Sequence, residues 1–176
     1  MTALRVCLIS IIFTCLYVFS TVLISCIIMH NQANGSFIKT NNKIIGSKFI
    51  GQEFTSNKYF HGRPSLNHYK NDISGNSNFP FYSKELTENT LNNLKKYRSN
   101  AIDANLITES ASGLDPHITY NGAILQIDRI AQSRGIAKEE LLKLINKNAK
   151  PHIFGIFGEK IVHVLELNIS LDNVKM

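Results

Sequence analysis

From His30 onward the chain has no cysteine. A body without thiols has neither disulfides nor a thiolate metal site, whichever compartment holds it. All three cysteines, Cys7, Cys15 and Cys26, lie in one apolar run near the N-terminus. Charge is missing there as well: Val6 to Met29, VCLISIIFTCLYVFSTVLISCIIM, has no charged side chain in 24 positions. The body also lacks the signatures of common chemistries. No G-x-x-x-x-G-K-[S/T] phosphate loop, G-x-G-x-x-G fingerprint, C-x-x-C or H-E-x-x-H occurs, so no metal is expected. The six histidines, at 30, 61, 68, 117, 152 and 163, are scattered and read as surface or satisfied structural residues. No arginine-rich stripe with interleaved aromatics is present, which argues against a nucleic-acid partner. The densest basic patch is Lys95-Lys96 with Arg98. From His30 the chain holds 18 of the 19 basic residues and all 13 acidic ones, a formal charge of +5 and a mildly basic solvated surface.

What is present starts with the apolar run. As a helix it would be about 36 Å long at about 1.5 Å per residue. It would cross a hydrocarbon core about 30 Å thick with room for tilt. The chain then divides into a cytoplasmic tail (1–5), a transmembrane helix (6–29), a linker (30–45) and an extracytoplasmic α+β domain (46–176). A cleaved signal is a weaker reading, because its apolar stretch is typically about 7–15 residues and ends in small residues. Leu23-Ile24-Ser25-Cys26 looks like a lipoprotein box, and a lipoprotein or anchored solute-binding module is the alternative. However, Ile27, Ile28 and Met29 continue the run past Cys26. Arg5 is the only basic residue on the short side, and the first after the run is Lys39, which favours a cytoplasmic N-terminus. Lys39, Lys43 and Lys48 pull the other way.

At 100° per residue, Cys7, Ser10, Thr14, Thr21 and Ser25 fall within about a 60° arc. Small polar residues at such spacing let helices pack closely, so Ser10, Thr14, Thr21 and Ser25 form a candidate packing face. The alternative is that the hydroxyls bond back to their own helix.

In the body, Gly46 to Ser65 reads as one or two strands with turns, and 66–83 as a loop. Glu85 to Ala101 reads as a helix, and Asn105 to Ser110 as a short strand. Ser112 to His117 is a turn, because Pro116 pushes Asp115 out of helix. Thr119 caps a helix with the stripe Ala123, Ile124, Ile127, Ile130 and Ala131, and Gly135 ends it. A further helix runs from Lys138 to Asn148, stopped by Pro151. Residues 160–169 read as a strand. The body is thus a small sheet covered by about three helices.

Ser112, Asp115 and His117 invite a hydrolase reading, but three residues within one tight turn do not supply the relayed geometry of a triad. The stretches Ser74-Gly75-Asn76-Ser77 and Ser110-Ala111-Ser112-Gly113 offer N–H groups to a phosphate. Asn34 and Asn168 stand in N-x-S sequons, which matter only in a eukaryotic secretory setting.

Taken together, the chain resembles the C subunit of the bacterial high-affinity potassium-transporting ATPase, the Kdp complex. Gly46-Ser47, Ile50-Gly51-Gln52 and Phe54 look like that family's G-S-x-x-I-G-Q-x-F. Tyr59-Phe60-His61-Gly62-Arg63-Pro64-Ser65 looks like its Y-F-x-x-R-P-S. Leu106 to Ile118, with Ser112-Gly113-Leu114-Asp115-Pro116-His117, is similar to L-V-T-x-S-x-S-G-L-D-P-H-I. Gln126, Arg129, Ala131, Arg134 and Gly135 match Q-x-x-R-x-A-x-x-R-G. Phe157-Gly158-Glu159, Val164 to Asn168 and Leu171-Asp172 resemble the family's C-terminal strand.

The resemblance implies a single-span, non-catalytic subunit in the bacterial inner membrane. Its partners are then membrane lipid, a pore-forming potassium-binding subunit and a P-type ATPase subunit. It has no cofactor of its own, because ATP and K+ belong to the complex. The family's role is assembly, and catalytic chaperoning that raises the ATPase subunit's affinity for ATP. A loop at Ser74, Gly75 and Ser77 corresponds to a family segment likened to a nucleotide-contacting signature. Here one of its glycines is Asn76 and the later N-P is absent.

Overall fold

The structure, a computed structural model, describes residues 2–97, 102–151 and 158–174. Arg98 of the basic patch, His152 and Phe157 lie outside the described residues, and the helix expected to reach Ala101 already ends at Leu94, with Lys95 as its C-cap. The chain divides into two units, Met1–Ser47 and Lys48–Met176.

In the first unit, α1 (Thr2–Ile28) buries none of its side chains within the protein. With 27 residues it is long and apolar enough to cross a membrane, and it is the one such helix among the described residues. It begins four residues before the expected start because Thr2 to Arg5 continue the helix. One turn, α2 (His30–Ala33), follows.

Where an Asn-rich linker was expected, the chain forms an antiparallel hairpin of β1 (Phe37–Thr40) and β2 (Lys43–Ser47). The two residues between them, Asn41 and Asn42, have φ of 50° and 62°. Asparagine tolerates this left-handed backbone, which a two-residue hairpin turn requires. The Asn richness read as linker was the turn signal.

The second unit is α+β, as expected. Its elements are α3 (Lys84–Leu94), α4 (Ala104–Ile107), β3 (His117–Thr119), α5 (Tyr120–Ile124), α6 (Ile127–Arg134), α7 (Lys138–Asn148), β4 (Ala149–Lys150), β5 (Ile161–His163) and α8 (Val164–Asp172). The three short strands form an antiparallel sheet in the order β3-β5-β4. Helix residues Ile130, Leu141, Ile145 and Leu167 bury against Ile118 and Val162 of the sheet, and Phe60 joins them from the irregular segment.

Several elements differ from expectation. Beyond β2, the segment to Ser65 has no strand; it is an extended strap over the core. The strand expected at 105–110 is replaced by α4, because the Asp103 side chain accepts from Leu106 N–H at 3.0 Å and caps a helical turn. Thr119 does cap α5, accepting from Gly122 N–H at 2.8 Å, but the expected single helix breaks at Leu125-Gln126 into α5 and α6. Gly135 ends α6 in the left-handed region at φ 68°, as a C-cap glycine does. The expected C-terminal strand stops at His163, whose ring caps α8. Val164, Leu167, Asn168 and Leu171 then bury at spacings of three and four, a helical period that the short apolar run hid.

Ile130 is fully buried. Ile130→Ala should lower unfolding free energy by about 3 kcal/mol, the cost of a partly collapsed core cavity, read from denaturant midpoints of the detergent-solubilised chain.

Candidate functional site

The residues carried by the family motifs converge on the strap. A buried segment without a ladder must still satisfy its N–H and C=O groups. Two buried carboxamides do so. Asn168 of α8 accepts from Phe60 N–H at 2.8 Å and donates to Phe60 C=O at 3.0 Å. Gln126, between α5 and α6, accepts from His61 N–H at 2.8 Å and donates to His61 C=O at 3.1 Å. Each amide thus treats one residue as a neighbouring strand would. The sequon asparagine at 168 is therefore enclosed in the core, 2% exposed, with no room for a glycan.

Arginines secure the segment just before. Arg129 donates to Asn57 C=O and to Gln126 Oε1, both at 2.7 Å. Arg134 donates to Lys58 C=O at 2.7 Å, pairs with Asp172 at 2.6 Å and lies 4.7 Å from the Tyr59 ring centre.

At the far end of the strap, Arg63 donates to Glu109 C=O at 3.0 Å and lies 3.4 Å from Asp115 Oδ2, while Pro64 C=O accepts from Ser110 N–H. Asp115 Oδ1 accepts from His117 N–H at 2.9 Å and sits 3.7 Å from its Nδ1. Burial pushes the Asp115 carboxyl upward, but the His117 ring and N–H, with Arg63, outweigh it and hold it below the usual value. Pro116 is buried and its C=O accepts from Val164 N–H. Ser112 Oγ accepts from Leu114 N–H at 3.1 Å within its own turn, so it serves the turn and not a relay to His117.

Gly51 donates to Leu114 C=O at 2.8 Å, and a Cβ there would meet Asp115 O at 2.7 Å. Gly113 has φ of 68° and would meet Gly75 O at 2.7 Å. Gln52 is half-buried in the strap beside Gly51.

The Ser-Gly stretches meet each other. Gly75 N–H donates to Ser112 C=O at 2.9 Å, Ser74 Oγ to the same oxygen at 3.2 Å, and Ser77 N–H to Glu109 Oε2 at 3.1 Å. A carboxylate thus already occupies one of the N–H groups that a phosphate would use. Beside the strap a cleft of about 520 Å³ is lined by Arg63, Tyr69, Asn93, Lys96 and Glu109 among others. Among the described residues no group of three His, Cys, Asp or Glu stands close enough to hold a metal ion. In α1, the hydroxyls of Ser10, Thr14 and Thr21 donate back to Val6, Ser10 and Val18 carbonyls, while Ser25 is the one half-buried residue of the run.

Tyr69 and His163 were not singled out by sequence. Tyr69 hydroxyl donates to Arg63 C=O at 2.8 Å, and burial, then the nearby Asp115 charge, raises its pKa well above the ordinary value. His163 donates from Nε2 to Lys48 C=O at 3.1 Å and accepts at Nδ1 from Glu166 N–H at 3.3 Å. Acceptance at Nδ1 requires the neutral ring, in the tautomer protonated at Nε2. Alternation had placed His163 inside a strand, which gives no hint of a cap.

A family model described as KdpC: K+-transporting ATPase, c chain, matches residues 1–173. The chain belongs to the KdpC family. The protein named Potassium-transporting ATPase KdpC subunit of Caldanaerobacter subterraneus subsp. tengcongensis is 43% identical over 147 residues, covering 80% of this chain and 76% of that one. The protein of the same name from Bacillus cytotoxicus is 41% identical over 151 residues, covering 82% and 79%. That of Staphylococcus aureus is 42% identical over 170 residues, covering 91% and 89%. The KdpC motif residues Gly51, Arg63, Pro64, Gly113, Asp115, Pro116, His117, Gln126 and Arg129 are, in this chain, the residues that hold the strap or shape the turn beside it.

Asn168→Ala leaves both polar groups of Phe60 buried and unpaired. It should cost about 3 kcal/mol and speed proteolysis or amide exchange of residues 48–65, with membrane insertion unchanged. A second test uses pH. Burial is the main cause lowering the pKa of His163 and of His61 below 6.5. Their contribution is therefore complete above pH 6.5 and is lost as pH falls through that value toward the folded-state pKa. Asp115 adds a later loss, once pH falls below its ordinary 3.8. Urea midpoints should begin to drop on acidification below about pH 6.5, and His163→Gln should flatten that limb.

Proposed function

We propose that this KdpC-family chain is a non-catalytic, single-span accessory subunit of an ATP-driven potassium importer in the bacterial inner membrane. Its N-terminus lies in the cytoplasm and its body outside, next to the pore-forming subunit, where it stabilises assembly with that subunit and the P-type ATPase subunit. The observation that carries this reading is the family match over residues 1–173. The chemistry of the body agrees with it. The motif side chains are engaged in holding backbone, and no nucleophile–base pair is assembled around Ser112 and His117.

The family's ATP-affinity effect then acts through assembly. An outward body has no access to cytoplasmic ATP, and the N–H groups at Gly75 and Ser77 donate within the protein. The small polar face at Ser10, Thr14, Thr21 and Ser25 serves as the helix-packing surface in this proposal, since back-bonded hydroxyls still leave a low profile for a neighbouring helix.

Detergent pull-down of this chain from potassium-starved cells should bring a pore subunit and a pump whose ATPase activity responds to potassium. Capture of the chain alone would end the proposal. Thr14→Phe with Thr21→Phe should reduce the co-purified pore subunit; unchanged recovery would remove that face from the assembly surface.

A further inference from the structure

His163 is 1% exposed and stands where β5 ends and α8 begins. Its ring joins three parts of the body. Nδ1 accepts at 3.3 Å from Glu166 N–H, in the first turn of α8, where no carbonyl of the same helix is available. Nε2 donates at 3.1 Å to Lys48 C=O, 115 positions away, where the second unit begins. The ring also lies edge to face on His117 of β3, 5.2 Å between centres, across a register pair of the sheet. Val164 N–H is bonded separately to Pro116 C=O, so the ring's own task in α8 is the Glu166 N–H.

Only one protonation state performs both tasks. The neutral ring protonated at Nε2 donates at one nitrogen and accepts at the other. A proton taken from water at Nδ1 turns that nitrogen into a donor aimed at another donor, and it leaves a positive charge buried. The groups facing the ring do not compensate that charge alike. His117 on β3 and Lys150 on β4 oppose it, while Glu166 on α8 favours it. Asp115 stands behind His117, 3.7 Å from its Nδ1. Burial is the largest effect, and against Glu166 it holds the folded ring neutral to below the ordinary 6.5. A protonated ring is better served by water, and its departure removes both the cap of α8 and the donor to Lys48.

We propose that His163 is an acid-operated clasp. Closed and neutral, it ties Lys48, at the entry of the chain into the body, to the first turn of α8; on protonation the ring swings out and frees the two together. The rest of the core stays folded, because the carboxamides of Asn168 and Gln126 that hold Phe60 and His61 do not titrate. The clasp is a property of the folded body and does not depend on the assembly proposed above.

The test is amide exchange of the detergent-solubilised full chain, read by mass spectrometry from about pH 7.5 to about pH 5 and corrected for intrinsic rates. Protection of residues 49–51 and 165–167 should fall together, by up to about tenfold per pH unit below 6.5, while α7 keeps its own. In His163→Asn, whose carboxamide can cap α8 and does not titrate, both segments should lose their pH dependence. The ring gives a second reading that needs no variant. Its nitrogen NMR shifts should show Nε2 protonated and Nδ1 bare at neutral pH, and its titration should coincide with the loss of protection. Protection that is unchanged across the range, or lost equally from α7, overturns the clasp. So does a pH response that survives in His163→Asn, or an Nδ1 that carries the proton at neutral pH.

Discussion

The body depends on a problem of backbone polarity. Phe60 supplies a fully buried ring to the core, yet the strap that carries it belongs to no sheet. Burial of that ring is favourable only if the flanking N–H and C=O groups find partners in the same dry space. Asn168 and Gln126 solve this as a pair of side-chain surrogates for a strand, on consecutive residues, Phe60 and His61. Arg129 and Arg134 extend the arrangement to Asn57 and Lys58. The KdpC motifs are widely separated in sequence because one supplies the strap and the others supply what grips it.

Some of this was legible in the sequence. The lipid-length run, the cap at Thr119, the helix Lys138–Asn148 and the Gly135 stop each rest on a local rule, and each is in the structure. Failures arose where local rules compete. Asn41-Asn42 carried a turn signal that composition disguised as linker. Asp103 turned a β-prone stretch into α4 by capping it, and His163 did the same for a run that alternation assigned to a strand. The motif residues were visible by resemblance, but their work was not, since side-chain-to-backbone bonds spanning 65 or 108 residues leave no periodic trace. Asn168 looked like a sequon and is a core ligand for backbone.

These bonds also give the charged motif residues a structural role. Arg63, Asp115 and His117 form a charged constellation that suggests catalysis on paper. In space they brace a turn: the carboxylate serves His117 N–H and Arg63, and Ser112 serves Leu114 N–H. A subunit of a transport ATPase that spends its charged residues in this way is suited to presenting a fixed outer shape.

The grip on the strap has a bearing on biosynthesis. Phe60 leaves the ribosome long before Asn168, its partner 108 positions downstream. During synthesis the strap therefore emerges unguarded, and it stays so until α8 follows. A chaperone has that interval in which to meet it. A chain interrupted before α8 would expose its oldest segment permanently, a mark by which quality-control proteases could sort incomplete copies from finished ones.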